Sequence, residues 1–176
     1  MSGRCCGKSP EGGCVVRTLS VDLLYLDRDV CTRCRGADET LDAAVASATP
    51  ALRAMGIALE IRRTLVDTEE AAQRLRLITS PTIRIDGRDI APLVEESACE
   101  SCGDLMTSGS VDCRVWFWRG ERHTSPPEGL IVEALMRAAL APREQPPVPP
   151  SDFALPENLR SFFRLRKAGA AEAGCR

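Results

Sequence analysis

The chain carries a single histidine, His123, among its 176 residues. This excludes a metal site built mainly from imidazoles and any catalytic arrangement that needs two histidines. There is no excess of positive charge either: the formal net charge is −2, so nothing marks the chain as a nucleic-acid binder. No apolar run approaches the length of about 20 residues that spans a bilayer, and membrane partners are not expected. The first thirteen residues, MSGRCCGKSPEGG, lack the apolar core of a secretory leader. A Gly-rich phosphate loop and a nucleophile elbow are also missing, and one histidine cannot support a Ser-His-Asp set. The compartment these absences predict is the cytoplasm, where thiols stay reduced.

In that setting nine cysteines carry information. An odd number in a reducing compartment makes a poor disulfide framework and favours thiol or metal chemistry. Cys5, Cys6 and Cys14 lie in a Gly-rich stretch, and Cys175 is next to last. For these the alternatives are capture or delivery of metal and no specific task. The other five fall in CTRC (Cys31, Cys34), CESC (Cys99, Cys102) and DCRVW (Cys113). Random placement alone would give about 0.4 Cys-x-x-Cys pairs, so position has to carry the argument.

Hydrophobic periodicity supplies the positions. VVRTLSVDLLYLD predicts a central strand buried on both faces. A helical stripe runs from Asp38 to Met55, with Pro50 expected to kink or shorten it and Gly56 to end it. IALEIRRTLV alternates as a second strand, and DTEEAAQRLRL predicts a short helix capped by Asp67 or Thr68. SPTIRIDGRDI places an Asp86-Gly87 turn between Ile83–Ile85 and Ile90, a hairpin signal. Residues 91–110 read as irregular. VDCRVWFW alternates again, with Trp116 and Trp118 expected beneath the linker or the C-terminal helix, and PPEGLIVEALMRAAL opens a helix at Pro127.

These elements divide the chain into a flexible tail over 1–14, a domain over 15–141, a Pro-rich linker over 142–156 and a basic amphipathic helix with its tail over 157–176. In that helix Leu159, Phe162 and Phe163 form an apolar face, which docks either on its own domain or on a partner. The order β-α-β-α-β-β, a cysteine-bearing insertion, a further strand and a helix predicts an α/β sandwich around a central mixed sheet flanked by helices.

The combination YLD…CTRC…SPTIRIDG…ESACESCG…DCRVW resembles the thioredoxin-like superfamily, and within it a group of small proteins with no assigned function. The resemblance covers roughly residues 17–140. It implies a thioredoxin-like sandwich, a cis-proline at Pro81 facing the Cys31–Cys34 pair, and thiol–disulfide exchange with a protein or small-molecule substrate. Cys31 would be the nucleophile and Cys34 the resolving thiol. Asp27, at the end of the first strand, is a candidate proton acceptor for Cys34 or a plain turn residue. The sequence departs from the superfamily's Trp-Cys-Gly-Pro-Cys pattern in having Thr32 and Arg33 between the cysteines.

If a helix begins at Cys31, its N-terminal dipole and Arg28, Arg33 and Arg35 would favour a thiolate there. If the helix begins only after Gly36, CTRC is closer to the turn of a zinc knuckle. Thiolates at Cys99, Cys102 and Cys113, with His123 as a fourth ligand, would make a zinc site that ties down residues 91–110. Joining the two Cys-x-x-Cys pairs into one four-cysteine site is the alternative, across 64 intervening residues. A third reading, soft-metal handling or an alkylmercury lyase-like enzyme, would use Cys31 or Cys34, Cys113 and the carboxylate of Asp27.

Overall fold

The computed structural model describes residues 17–99, 101, 111–142 and 152–173. The tail over 1–14, Cys102, Cys175 and most of the Pro-rich linker lie outside the described residues. The chain is α/β with a mixed sheet and helices.

Strand β1 (Arg17–Tyr25) buries Leu19, Val21, Leu23, Leu24 and Tyr25, the pattern of a strand covered on both faces. It is an inner strand of a four-stranded sheet that also contains β2 (Ile57–Leu65), β3 (Thr82–Ile85) and β4 (Arg88–Asp89), in the order β2-β1-β3-β4. β1 runs parallel to β2 and antiparallel to β3. A parallel pair needs a crossover, and α1 (Thr32–Ala54) provides it. Its buried stripe is Cys34, Ala37, Leu41, Ala44, Ala48 and Leu52, and the alanines let the helix approach the sheet closely.

Of the two starts open for α1 the earlier one holds, and Pro50 does not shorten the helix. It begins six residues before Asp38, directly after Cys31, and it continues through Pro50 to Ala54. Gly36 does not delay the helix. A Cβ at that position would meet Ser125 Oγ at 2.4 Å, so glycine here permits a close approach of the chain. Gly56 takes φ 71°, the left-handed turn that follows the helix. α2 (Glu69–Arg74) is capped by Thr68, whose hydroxyl accepts the Ala71 N–H at 3.1 Å, and Glu69 and Glu70 fill its first turn. Asp86 (φ 49°) and Gly87 (φ 77°) make the two-residue turn between β3 and β4.

A second, three-stranded antiparallel sheet consists of β5 (Glu95–Cys99), β6 (Val111–Trp118) and β7 (Glu121–His123). β5 lies in the stretch expected to be irregular. Its Glu and Ser residues give no strand signal, and it is ordered by pairing with β6, where Ser97 faces Cys113 and Cys99 faces Val111. α3 (Glu128–Leu140) packs along α1. Trp118 lies against α3, donating to Glu133 at 3.2 Å and approaching Gly129. α4 (Glu157–Ala173) buries Leu159, Phe162 and Phe163 and contacts α2 and β6, so its apolar face is covered within the chain. Among the described residues, no helix is long and apolar enough to cross a membrane.

Two arginines fasten the second sheet to the rest. The Arg114 N–H donates to Ser80 O at 2.8 Å. The Arg114 side chain is fully buried, donating to Asp89 at 2.8 and 3.0 Å, to Thr82 Oγ1 at 3.1 Å and to Ala91 O, with its guanidinium over the Trp116 ring. Arg33 reaches from the first turn of α1 to the backbone of β5 and β6. It donates to Ala98 O at 2.7 Å, Cys113 O at 2.9 Å and Ser97 Oγ at 3.1 Å.

Candidate functional site: a buried thiol cluster

Cys31 is the N-cap of α1, with φ −74° and ψ 109°. The Cys-x-x-Cys spacing gives the pair its geometry, because the N–H left unpaired at the third helical position belongs to Cys34. Cys31 Sγ accepts it at 3.4 Å, in the role usually taken by a serine or aspartate oxygen. This hydrogen bond and the N-terminal end of the helix dipole favour negative charge on that sulfur. Cys34 lies one turn inside, its Sγ 3.6 Å from Ser80 Oγ, which itself accepts the Leu26 N–H at 3.2 Å.

The Cys34 thiol is pushed well above the ordinary cysteine range. The main cause is its hydrogen bond to Cys31, followed by burial and the charge of Cys31; Ser80 and the backbone of Asp27 act in the opposite sense. Of the two, Cys34 therefore keeps its proton.

The second sheet brings Cys99 and Cys113 to the same place. The sulfurs of Cys31, Cys99 and Cys113 lie within 4.8 Å of one another, and that of Cys31 is 4.0 Å from that of Cys113. All three residues are buried, as is Cys34. Ser101 bridges the halves: its hydroxyl accepts the Thr32 N–H at 3.2 Å and lies 3.4 Å from Cys99 Sγ. Three buried thiols this close can hold one metal ion.

The expected residues therefore sort differently in space than along the chain. Cys99 and Cys113 meet, and Cys31 joins them. Cys102 lies outside the described residues. His123 pairs with Trp116 across β6 and β7, its Nε2 is 3.9 Å from Glu121, and it does not belong to the sulfur group. The Ser80–Pro81 peptide is cis, and Ser80 touches both Cys34 and β6. Asp27 Oδ1 accepts the N–H groups of Asp29 (2.8 Å) and Val30 (2.9 Å), the hydrogen bonding of a turn residue. Ser80, Ser101 and Arg33 also line the site. Ser80 and Ser101 give no motif, and Arg33 read as one more positive charge beside Cys31.

The fold and the site together define an α/β protein with a mixed sheet, whose cysteine-capped helix is closed over by a second sheet carrying two more thiols. It belongs to the family described as Domain of unknown function (DUF2703), which matches residues 19–135. No curated protein and no solved structure matches the chain.

Proposed function

We propose that this is a thioredoxin-like domain that binds one thiophilic metal ion through the thiolates of Cys31, Cys99 and Cys113. The observation that carries the reading is the convergence of three buried sulfurs from α1, β5 and β6. The 4.0 Å edge between Cys31 and Cys113 is that of a planar three-sulfur unit with metal–sulfur distances of about 2.3 Å. Three thiolates around a dication leave a net negative charge, which the N-terminus of α1 and the neighbouring Arg33 offset. Thiolate-only donor sets select soft ions. Three thiolates suit a soft ion of the cuprous or mercuric class, and zinc where a fourth ligand joins them.

The test is titration of reduced, anaerobic protein with Cu(I) against a chromogenic chelator. One ion per chain is expected, with at least about a 100-fold loss of affinity in Cys99→Ser and in Cys113→Ser, and unchanged stoichiometry in Cys34→Ser. Absence of binding, or binding indifferent to Cys99 and Cys113, would overturn the reading.

A second reading, thiol–disulfide exchange at Cys31 and Cys34, is favoured by Cys31 capping α1 while Cys34 keeps its proton. Cys34→Ser should then trap a mixed disulfide on Cys31, and no trapped species would count against it. An alkylmercury lyase-like activity would need a free carboxylate beside the thiolates. The hydrogen bonds of Asp27 to its own turn support the metal-holding part of that reading more than the proton-moving part.

A further inference from the structure

Thiol chemistry at Cys31 faces an obstacle. Cys31 is 0% exposed and Cys34 1%, so a small oxidant enters more readily than the disulfide of a folded protein. We infer that Cys113 is the resident thiol partner of Cys31, and that a small hydroperoxide drives formation of a Cys31–Cys113 disulfide joining the two sheets. This rests on the thiol-chemistry reading and supplies that reading with both its oxidant class and its partner.

Two contacts place Cys113 for this role. Its neighbour Arg114 donates its N–H to Ser80 O at 2.8 Å, which fixes the register of β6 beside the turn that also holds Cys34. Arg33 donates to Cys113 O at 2.9 Å, anchoring the same residue from the helix side. The result is a separation of 4.0 Å between the Cys31 and Cys113 sulfurs. A disulfide bond is about 2.05 Å long, so each sulfur has to move by only about 1 Å.

The chemistry balances. The Cys31 thiolate attacks one oxygen of the hydroperoxide, the O–O bond breaks, and hydroxide or alkoxide leaves and takes up a proton. Cys31 is now a sulfenic acid. The Cys113 sulfur attacks the Cys31 sulfur, the S–O bond breaks, and the departing oxygen leaves as water with the proton from Cys113. Two thiols are oxidised and one peroxide is reduced. Cys34, three positions along α1, and Cys99, within 4.8 Å, are the competing partners. The geometry that favours Cys113 is its 4.0 Å approach to Cys31 from a strand anchored to both α1 and the Ser80 turn.

The experiment treats the reduced, metal-free, full-length protein with one equivalent of hydrogen peroxide. Remaining thiols are blocked with an alkylating agent and the linkages mapped by proteolysis and mass spectrometry, in wild type and in Cys34→Ser. The expected result is a Cys31–Cys113 cross-linked peptide as the main product in both. A Cys31–Cys34 link as the main wild-type product would overturn the inference and leave the thiol reading standing. A link from Cys31 to Cys99, or one between Cys99 and Cys113, would overturn the inference as well. Oxidation of Cys31 to the sulfinic acid with no disulfide would overturn both.

Discussion

Arg33 sits between the two cysteines of CTRC, yet its guanidinium is spent on the second sheet. Replacing it with alanine should loosen that sheet locally and expose Cys31, Cys99 and Cys113. The Cys113 carbonyl, 2.9 Å away and partly buried, is the strong acceptor. The Ala98 carbonyl is closer at 2.7 Å but exposed, so water replaces the arginine there and little is lost. A hydrogen bond to a charged donor is worth about 1.5–3 kcal/mol, which leaves about 2 kcal/mol for the closure of the sheet. Each 1.4 kcal/mol is a factor of ten, so the open fraction should rise about 30-fold. The assay is the alkylation rate of Cys99 and Cys113 in native, reduced, metal-free protein, with urea unfolding as the control for global stability. Arg33→Lys keeps the charge without the fork of donors and should fall between. A change of less than about threefold in Arg33→Ala would refute the argument that this arginine holds the site shut.

Two further predictions concern stability. Asp89→Ala leaves the fully buried Arg114 without its carboxylate and should cost about 2–4 kcal/mol in urea unfolding, the lower half of that range reflecting the partial exposure of Asp89. Arg114→Met in the Asp89→Ala background should recover part of the loss, and equal or greater damage in the double variant would show that the ion pair is not the cause. Burial pushes the Asp38 carboxyl up, but hydrogen bonds and charge from Arg63 and Arg28 outweigh it and hold the pKa below the ordinary value. Its stabilising contribution is then complete above the unfolded-state pKa of about 4 and lost as the pH falls through the folded one. Asp38→Asn should be the less stable protein at pH 7, and the gap to wild type should close on acidification below about pH 4; a gap that stays constant down to pH 2 would contradict this linkage.

Much of the first sheet could be read from local pattern. The continuous apolar run of β1 and the Asp86-Gly87 turn are signals written in neighbouring residues. The failures come where a distant residue decides. Gly36 looked like a barrier to an early helix because nothing nearby shows that Ser125 occupies the space of its missing side chain. β5 was invisible because EESAC is a strand only when β6 lies beside it. The site suffered for the same reason. Sequence spacing grouped Cys99 with Cys102 and Cys113. The alternatives that brought Cys31 to Cys99 or to Cys113 had shared thiol chemistry but no spatial signal behind them. The fold of β5 and β6 over α1 moves Cys99 and Cys113 onto Cys31.

The distance along the chain between those sulfurs has a consequence for assembly. Cys31 and Cys113 are 82 positions apart, and they meet only when the second sheet has settled on the first. While a ribosome is making the chain, Cys31 and Cys34 emerge and can form their helix long before either of their later neighbours exists. In that interval the early pair is an ordinary uncovered dithiol, open to any oxidant or metal present. Completion of β6 ends that interval. An ion held by all three sulfurs is thus a certificate of finished folding, one that a half-made chain cannot obtain.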